Sequence, residues 1–554
     1  MAGIPEVVLS SLPQSSKSHH VRVQVNRTRT KPAPPRGKCV LPLEALVGEC
    51  DIGTLKKWDD DVKRAYDWLE NVKFDPLPDN HVMSRNFTAD DIDTLRLVME
   101  PCSARAALPA FKIPKANGEF SRFLLNGRPA NAVLKDRLRP QMPDLTTLLH
   151  LPQKFCAAFQ ADAKNWFYQL HLPERLRDLY STRLVSKRGK FEHVRMKRLP
   201  MGASFAPAVA QACSRALINE LRRRHANIDF FADVWLDNFY VFAVSRTDAE
   251  ILRASFLQIA DEVHATMKEV SEVTECIDLL GLRIDLAKKT IGPGETLSTS
   301  LRKAASFNEA ESTPRRFLEA AAIIFFPNHI YGRLPLALKP QLFSAIQYAC
   351  VVGATGWDQK ILLPSTAASE LRSFASALLT DVPWSTPPAQ PETVLWVDAS
   401  TSYIGALLQT TAGDRTYSWP METPQTKIYL GELAAAWFGA QIAECAHVLA
   451  SDNQAAVFAM HKGHATTRAG NELLAKWICS TKASHIAWVP TKQQRADYLS
   501  RPNENIDKVP IWHPAGRPLR WRKKEGGIAE TTSFSSNLTP GAYPTCIQHC
   551  FSPV

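Results

Sequence analysis

The stretch FFADVWLDNFYVFA, residues 230–243, decides how the first half of the chain is read. Val234-Trp235-Leu236 and Phe239-Tyr240-Val241-Phe242 are aromatic and β-branched runs, the composition of half-buried strands. Asp237-Asn238 lies between them, and both residue types tolerate positive φ, so the pattern predicts two strands joined by a two-residue turn. A turn residue is one reading of Asp237. A carboxylate held at a hairpin tip to take a metal is the other. The choice turns on whether a second carboxylate can reach it.

FQADAKNWFYQLHL (159–172) places Asp162 after a short apolar segment, 75 residues before Asp237. Acidic groups at the ends of adjacent strands can share divalent cations. Phosphoryl transfer needs such clamps, because the protein contributes mainly positioning and charge neutralisation. Between the two aspartates, RLPMGASFAPAVAQ (198–211) is a Gly-containing turn running into a helix, where backbone can approach a flat base pair or a phosphate. DAEILRASFLQIADEVHATM (248–267) has its apolar residues at helical spacing.

In this order, from Lys115 to Asp285, the elements resemble the reverse transcriptases of retroelements. The resemblance implies a role for each matching residue. Lys115 and Arg122, flanking the Gly-containing turn of KANGEFSR, would hold the triphosphate of an incoming nucleotide. Asp162 and Asp237 would be catalytic metal ligands, and Phe167 the aromatic gate that clashes with a ribose 2′-hydroxyl and so selects deoxynucleotides. Met201 and Gly202 of LPMG, with Gln211, would contact nucleotide and template; Lys268 would be the general acid, and LLGLRID (279–285) the primer grip. LLNGRPAN (124–131) is similar to the family's DxRxLN element, with Asn126 where Asp is usual. WLDN (235–238) departs from the family's YxDD-type motif: Asn238 replaces the second carboxylate, and its carbonyl would offer a metal less charge.

A second set of carboxylates follows. VLWVDASTSYIGALL (394–408) reads as a strand, Asp398, a Ser/Thr turn and another strand. YLGELAAAWFGAQI (429–442) is a helix with Glu432 near its start; VLASDNQAAVFAM (448–460) is a strand ending in Asp452 and then a helix; IAWVPTKQQRADYLSR (486–501) is a strand, a basic loop and Asp497. Such a group would repel itself unless divalent cations compensate it. The set resembles the ribonuclease H domain that follows retroelement reverse transcriptases. That implies two Mg²⁺, with Mn²⁺ as the alternative, held by Asp398, Glu432, Asp452 and Asp497 to activate water against the RNA of an RNA–DNA hybrid, and a further pair at the polymerase site. The histidine many relatives place before the last Asp is absent.

At 554 residues several domains are expected, with the 45% apolar and 22% charged content of a folded protein. The expected fold class is α+β and α/β multidomain, a right-hand polymerase of fingers, palm and thumb followed by an RNase H-like α/β domain. The boundaries read as a basic arm at 1–40, fingers and palm at 41–300, a mostly helical thumb or connection at 301–380, a Pro-rich linker at 381–392, the RNase H-like domain at 393–502, and an irregular basic tail at 503–554. The net charge of +11 is concentrated in the arm, in Arg222–Arg224 and in RPLRWRKK (517–524), which points to nucleic acid as partner. No apolar run is long enough to span a bilayer, no secretion signal is visible, and eleven scattered cysteines without CxxC pairs suit an intracellular protein of nucleus or cytoplasm.

The function implied is RNA- and DNA-directed DNA polymerase with ribonuclease H activity, acting on an RNA template, a DNA primer, deoxynucleoside triphosphates and RNA–DNA hybrid. The branch that looks most similar is the DIRS-like, tyrosine-recombinase group, with its VIPER-type members. The alternative is a nucleic-acid-binding protein whose polymerase site has decayed at Asn238, with or without an active nuclease.

Overall fold

The computed structural model describes residues 48–501 apart from short stretches at 80–83, 85–86, 88, 104–105, 115–120, 186–190, 332–334, 385–391, 422–427, 444 and 446; beyond 501 it describes only Thr545–Cys546. The expected arm at 1–40, most of the tail and Lys115 lie outside the described residues, as does the side chain of Arg122.

The quoted hairpin forms half of a four-stranded antiparallel sheet, ordered Phe230–Trp235, Asn238–Ala243, Ala157–Ala163, Met267–Val270. Side chains alternate across it. Phe159, Ala161, Phe239 and Val241 enter one core with the helices Ala206–Arg224 and Arg246–Glu262. Ala158, Tyr240 and Phe242 enter a second core with Leu148, Phe155 and the helical unit downstream. Asp162 and Asn238 are direct cross-strand partners, two-residue steps from this second set, so they share its face.

The segment around 109–126 folds as the expected strand pair, Ala110–Pro114 with Ser121–Leu125. A separate three-stranded sheet is ordered Met99–Pro101, Phe191–Met196, Ser181–Val185. LLGLRID is a hairpin between Cys276–Leu279 and Leu282–Asp285; Leu280 and Gly281 both have positive φ, 53° and 86°. That is the backbone of a two-residue turn matching the strands' twist.

The helical unit begins earlier than the expected 301: its helices are Glu295–Ala305, Pro314–Tyr331, Pro340–Gly353 and Ser365–Ala377. Of the expected linker at 381–392, residues 385–391 lie outside the described residues, and its first residues belong to the preceding unit. Val382–Pro383 pairs with Thr290–Ile291, and Trp384 is buried with the Lys289 ammonium over its ring, so composition misjudged these prolines. An edge strand tolerates proline because one side of it carries no ladder.

In the last unit the sheet order is Gly413–Pro420, Tyr403–Thr410, Val394–Ala399, His447–Ser451, Ala483–Trp488, Thr545–Cys546. The first three strands are antiparallel and the rest parallel. Helices Ile428–Ile442 and Arg468–Ser480 pack together over Leu395 and Val397. The unit touches the helical unit where the Ala337 N–H donates to the Gly463 carbonyl at 3.0 Å. The α+β and α/β multidomain expectation holds. Among the described residues no helix is long and apolar enough to cross a membrane.

Candidate active sites

The first site is built on the hairpin tip, and its turn is one residue off the sequence expectation. Trp235 pairs with Asn238, so Leu236 and Asp237 form the turn and Asn238 opens the second strand. Leu236, not an Asp or Asn, carries the positive φ of 56°. A bulky residue in that region is strained and persists only where its surroundings hold it. Here they do. Gln211 Nε2 donates to the Val234 carbonyl at 2.8 Å, the Leu236 N–H donates to Gln211 Oε1 at 2.7 Å, and Ser214 Oγ donates to the Leu236 carbonyl. The helix Ala206–Arg224 thus grips the turn and sets the height of Asp237.

Asp162 reaches the same point from the neighbouring strand. It pairs with Asn238, and the next amide, Ala163 N–H, donates to the Asp237 carbonyl at 2.9 Å. On its other side the ladder slips: Asp162 opposes Glu269 while Ala163 opposes Met267, leaving Lys268 as the extra residue of a bulge. A bulge re-aims the side chain it carries, and Lys268 Nζ lies 3.2 Å from Asp162 Oδ2. Asn238 Nδ2 donates to Asp237 Oδ1 at 3.1 Å. Asp162 with Lys268, and Asp237 with Asn238, are therefore two bonded side-chain pairs at the same end of the sheet.

Around them, the short helix Trp166–Gln169 has three side chains tied down: Trp166 to the Ala210 carbonyl, Tyr168 to the Phe123 carbonyl, Gln169 to the Lys164 and Thr266 carbonyls. Phe167 is only half-buried. Gly202 has φ 120°, and a Cβ there would sit 2.3 Å from the Leu125 carbonyl oxygen; a Cβ on Gly127 would sit 2.2 Å from the Gly202 oxygen. Only glycines let these two segments touch. Asn131 fixes the contact, donating to the Gly202 carbonyl at 2.9 Å and accepting from Ser204 N–H at 2.9 Å.

The second site lies at the carboxyl ends of the central strands in the last unit. One ligand oxygen each from Asp398, Glu432 and Asp452 falls within 4.8 Å of the others. Asp398 and Glu432 are 4% and 3% exposed. Burial, then the charges of Asp452 and Asp497, push the Asp398 carboxyl up to about 6, against the opposing pull of the Ser500 hydroxyl and Arg501. Burial and the Asp398 and Asp452 charges drive Glu432 well above the usual carboxylate range. Glu432 accepts from Ala399 N–H and Ser451 Oγ, both at 3.3 Å, and Trp488 Nε1 holds the Asp452 carbonyl at 2.9 Å. Such a crowd of oxygens in a low-dielectric cleft is the donor set for a hard divalent cation. Asp497 and Arg501 line the same cleft, paired at 3.0 Å. The turn carrying Asp497 can approach only because residue 405 is glycine: a Cβ there would meet Ser500 N at 2.7 Å and the Ala496 oxygen at 2.8 Å.

Residues 113–292 match the family model described as reverse transcriptase (RNA-dependent DNA polymerase). This stretch is a reverse transcriptase domain. No curated protein matches the sequence. Three of the solved structures similar to the chain illustrate the likeness. The foamy viral protease-reverse transcriptase dRH in complex with double-stranded DNA is 16% identical, with a TM-score of 0.43 over 83% of this chain and 84% of that one. The foamy viral protease-reverse transcriptase in complex with double-stranded DNA gives 15%, 0.45, 76% and 87%, and in complex with RNA/DNA hybrid 14%, 0.44, 89% and 67%.

Within the reverse transcriptase domain, Asp162, Asp237, Asn238 and Lys268 converge at one end of the sheet. Met201 and Gly202 lie in the loop that packs against Leu125 and Gly127, and Phe167 is half-buried. Gln211 is a correction. At 1% exposure its amide is engaged with the hairpin, so it positions the turn rather than meeting nucleotide or template. The sequence pattern gives Asn131 no role, whereas Ser214, a small polar residue three positions after Gln211, is on the same helix face. Of the second set, Asp398, Glu432 and Asp452 form the tight group, and Asp497 stands at its rim.

Proposed function

We propose that this chain is a retroelement enzyme of the DIRS-like, VIPER-type branch that copies RNA and DNA templates into DNA and degrades the RNA of the resulting hybrid. The observation that carries the reading is the presence of two acidic centres on separate sheets, one at Asp162 and Asp237 and one at Asp398, Glu432 and Asp452. Divalent cations at these centres, Mg²⁺ or alternatively Mn²⁺, would activate an oxygen nucleophile and stabilise the charge of the leaving oxygen. The second donor set suits them, with the carboxylate oxygens of Asp398, Glu432 and Asp452 within 4.8 Å of one another, two of these residues buried and Asp497 at the rim; the first offers Asp162 and Asp237 at one end of a sheet.

The chain's own residues do the positioning. The Gln211–Ser214 grip holds Asp237 at a fixed height against Asp162, which is what in-line transfer to a primer end requires. Lys268, aimed by its bulge, is 3.2 Å from Asp162 and would place a proton beside the reacting phosphates, as a general acid does. Phe167, open above the fixed Trp166 and Tyr168, would crowd a 2′-hydroxyl. Lys115 and Arg122 would take the triphosphate, and the basic arm the template. In the second centre Glu432 and Asp398, held by Ala399 N–H and Ser500 Oγ, would orient the attacking water on the RNA phosphodiester.

The test is primer extension and labelled-hybrid cleavage by the purified chain. Asp162→Ala should abolish extension and leave cleavage, and Asp398→Asn should do the reverse; joint loss in either variant overturns the two-centre reading. A second reading, polymerase decay with the nuclease alone active, is favoured by Asn238, whose amide replaces a carboxylate and points its nitrogen at Asp237. Cleavage without deoxynucleotide incorporation, with incorporation restored by Asn238→Asp, would support it.

A further inference from the structure

The last carboxylate of the second centre lies on a short turn, Asp497–Leu499, that is not part of the sheet bearing the others. Several contacts fasten this turn. Gln494 Nε2 donates to the Val397 carbonyl at 2.9 Å and Gln494 Oε1 accepts from Ala496 N–H. Ser418 Oγ donates to the Leu499 carbonyl at 2.7 Å. Ala496 and Leu499 pack on Leu407. None of these touches a carboxylate of the cluster. Ser500 differs. It is fully buried, and its Oγ lies within hydrogen-bond reach of Asp398 Oδ2 and, at 2.9 Å, of the Asp497 carbonyl, so its one proton can be donated to either acceptor. A single side chain therefore links the most central carboxylate to the backbone of the most peripheral one.

We propose that Ser500 is a positioning residue of the nuclease centre, whose hydroxyl fixes the Asp398 carboxylate and sets the distance of Asp497 from it, so that divalent cations bind the four carboxylates as one site. This rests on the nuclease reading above. The physical reason is general: groups that hydrogen-bond a metal-ligating carboxylate fix its orientation, and removing them typically weakens metal binding or activity by roughly 10–100-fold. Because Gln494, Ser418, the Gly405 approach and the Leu407 contact all remain, deleting the hydroxyl leaves the turn attached to the sheet. The effect should appear in metal affinity, not in folding.

Two readouts on the full chain test this: the Mn²⁺ dissociation constant at the nuclease centre, measured by calorimetry in an Asp162→Ala background that removes the other centre, and the Mg²⁺ concentration that half-saturates hybrid cleavage. Ser500→Ala should raise both by about 10-fold or more, with the maximal cleavage rate largely recovered at high Mg²⁺. Ser500→Thr, which keeps the hydroxyl, should stay close to wild type. Ser418→Ala is the control, since it removes a bond to the same turn that does not reach Asp398. If Ser500→Ala leaves both readouts unchanged, or if Ser418→Ala raises them equally, the proposal falls while the nuclease reading stands. If the Asp162→Ala chain with Ser500 intact binds Mn²⁺ but neither it nor the wild-type chain cleaves hybrid, the nuclease reading fails instead, and the calorimetric arm still decides whether Ser500 governs the metal.

Discussion

Replacing Asp398 by Asn should stabilise the metal-free protein at neutral pH. The carboxyl is buried among Glu432, Asp452 and Asp497, and its proton affinity rises from the ordinary 3.8 to about 6. At about 1.4 kcal/mol per tenfold change, holding it ionised in the fold costs about 3 kcal/mol. The sign follows from proton counting. Between pH 4 and 6 the folded chain binds the proton more tightly than the unfolded chain, so the group's contribution is fully present below about pH 4 and is lost as pH rises through 6. Asp398→Asn stays neutral throughout and keeps the shape. In a chelator at pH 7.5 the variant should therefore exceed wild type by up to about 3 kcal/mol, and near pH 4 the gap should close. Because the chain has several units, a global melt would mix transitions. Hydrogen exchange of peptides covering Val394–Ala399 and His447–Ser451 reads the unit directly, with exchange in the variant slower by up to roughly a hundredfold. Saturating Mg²⁺ should remove most of the advantage, because only wild type gains from binding. Equal exchange of the two proteins in chelator at pH 7.5, or faster exchange in the variant, would refute the argument that these carboxylates are held together against their own repulsion.

Two further expectations concern the backbone. Gln211→Ala leaves the buried Val234 carbonyl without its partner, at about 1–3 kcal/mol, and frees the part-buried Leu236 N–H. Primer extension should fall at least tenfold while hybrid cleavage holds, and loss of neither activity would show that the hairpin keeps its tip unaided. Gly405→Ala places a Cβ 2.7 Å from Ser500 N, and must push the Asp497 turn outward. Cleavage should drop with extension intact; a fully active nuclease in this variant would mean that the turn's approach is unimportant.

Much of both sites can be read along the chain, for a physical reason. Asp162, Asp398 and Asp452 each end an apolar alternation, and Glu432 and Asp497 each open a turn of helix or 3₁₀-helix, so the carboxylates announce themselves where a strand or helix leaves the core. The misreadings share a cause as well. Propensity placed the hairpin turn on Asp237-Asn238, but the left-handed backbone sits on Leu236 because Gln211, on a helix, holds its amide. The same polar side chain matches a ligand contact by position, but its burial commits it to the hairpin. The bulge at Lys268 depends on the register between strands more than 100 residues apart in sequence, since Lys268 and Asp162 are separated by 106 positions. Val382–Pro383 and Trp384 resembled linker because their pairing with Thr290–Ile291 is equally remote. In each case a tertiary partner overrode the local signal.

The central claim is that the two carboxylate groups are distinct divalent-ion centres in one chain. Anomalous scattering from crystals of the chain with RNA–DNA hybrid, grown in Mn²⁺, tests it most directly. The account predicts separate density at Asp162 and Asp237 and at Asp398, Glu432 and Asp452; manganese at neither cluster, or at only one of them, would contradict it.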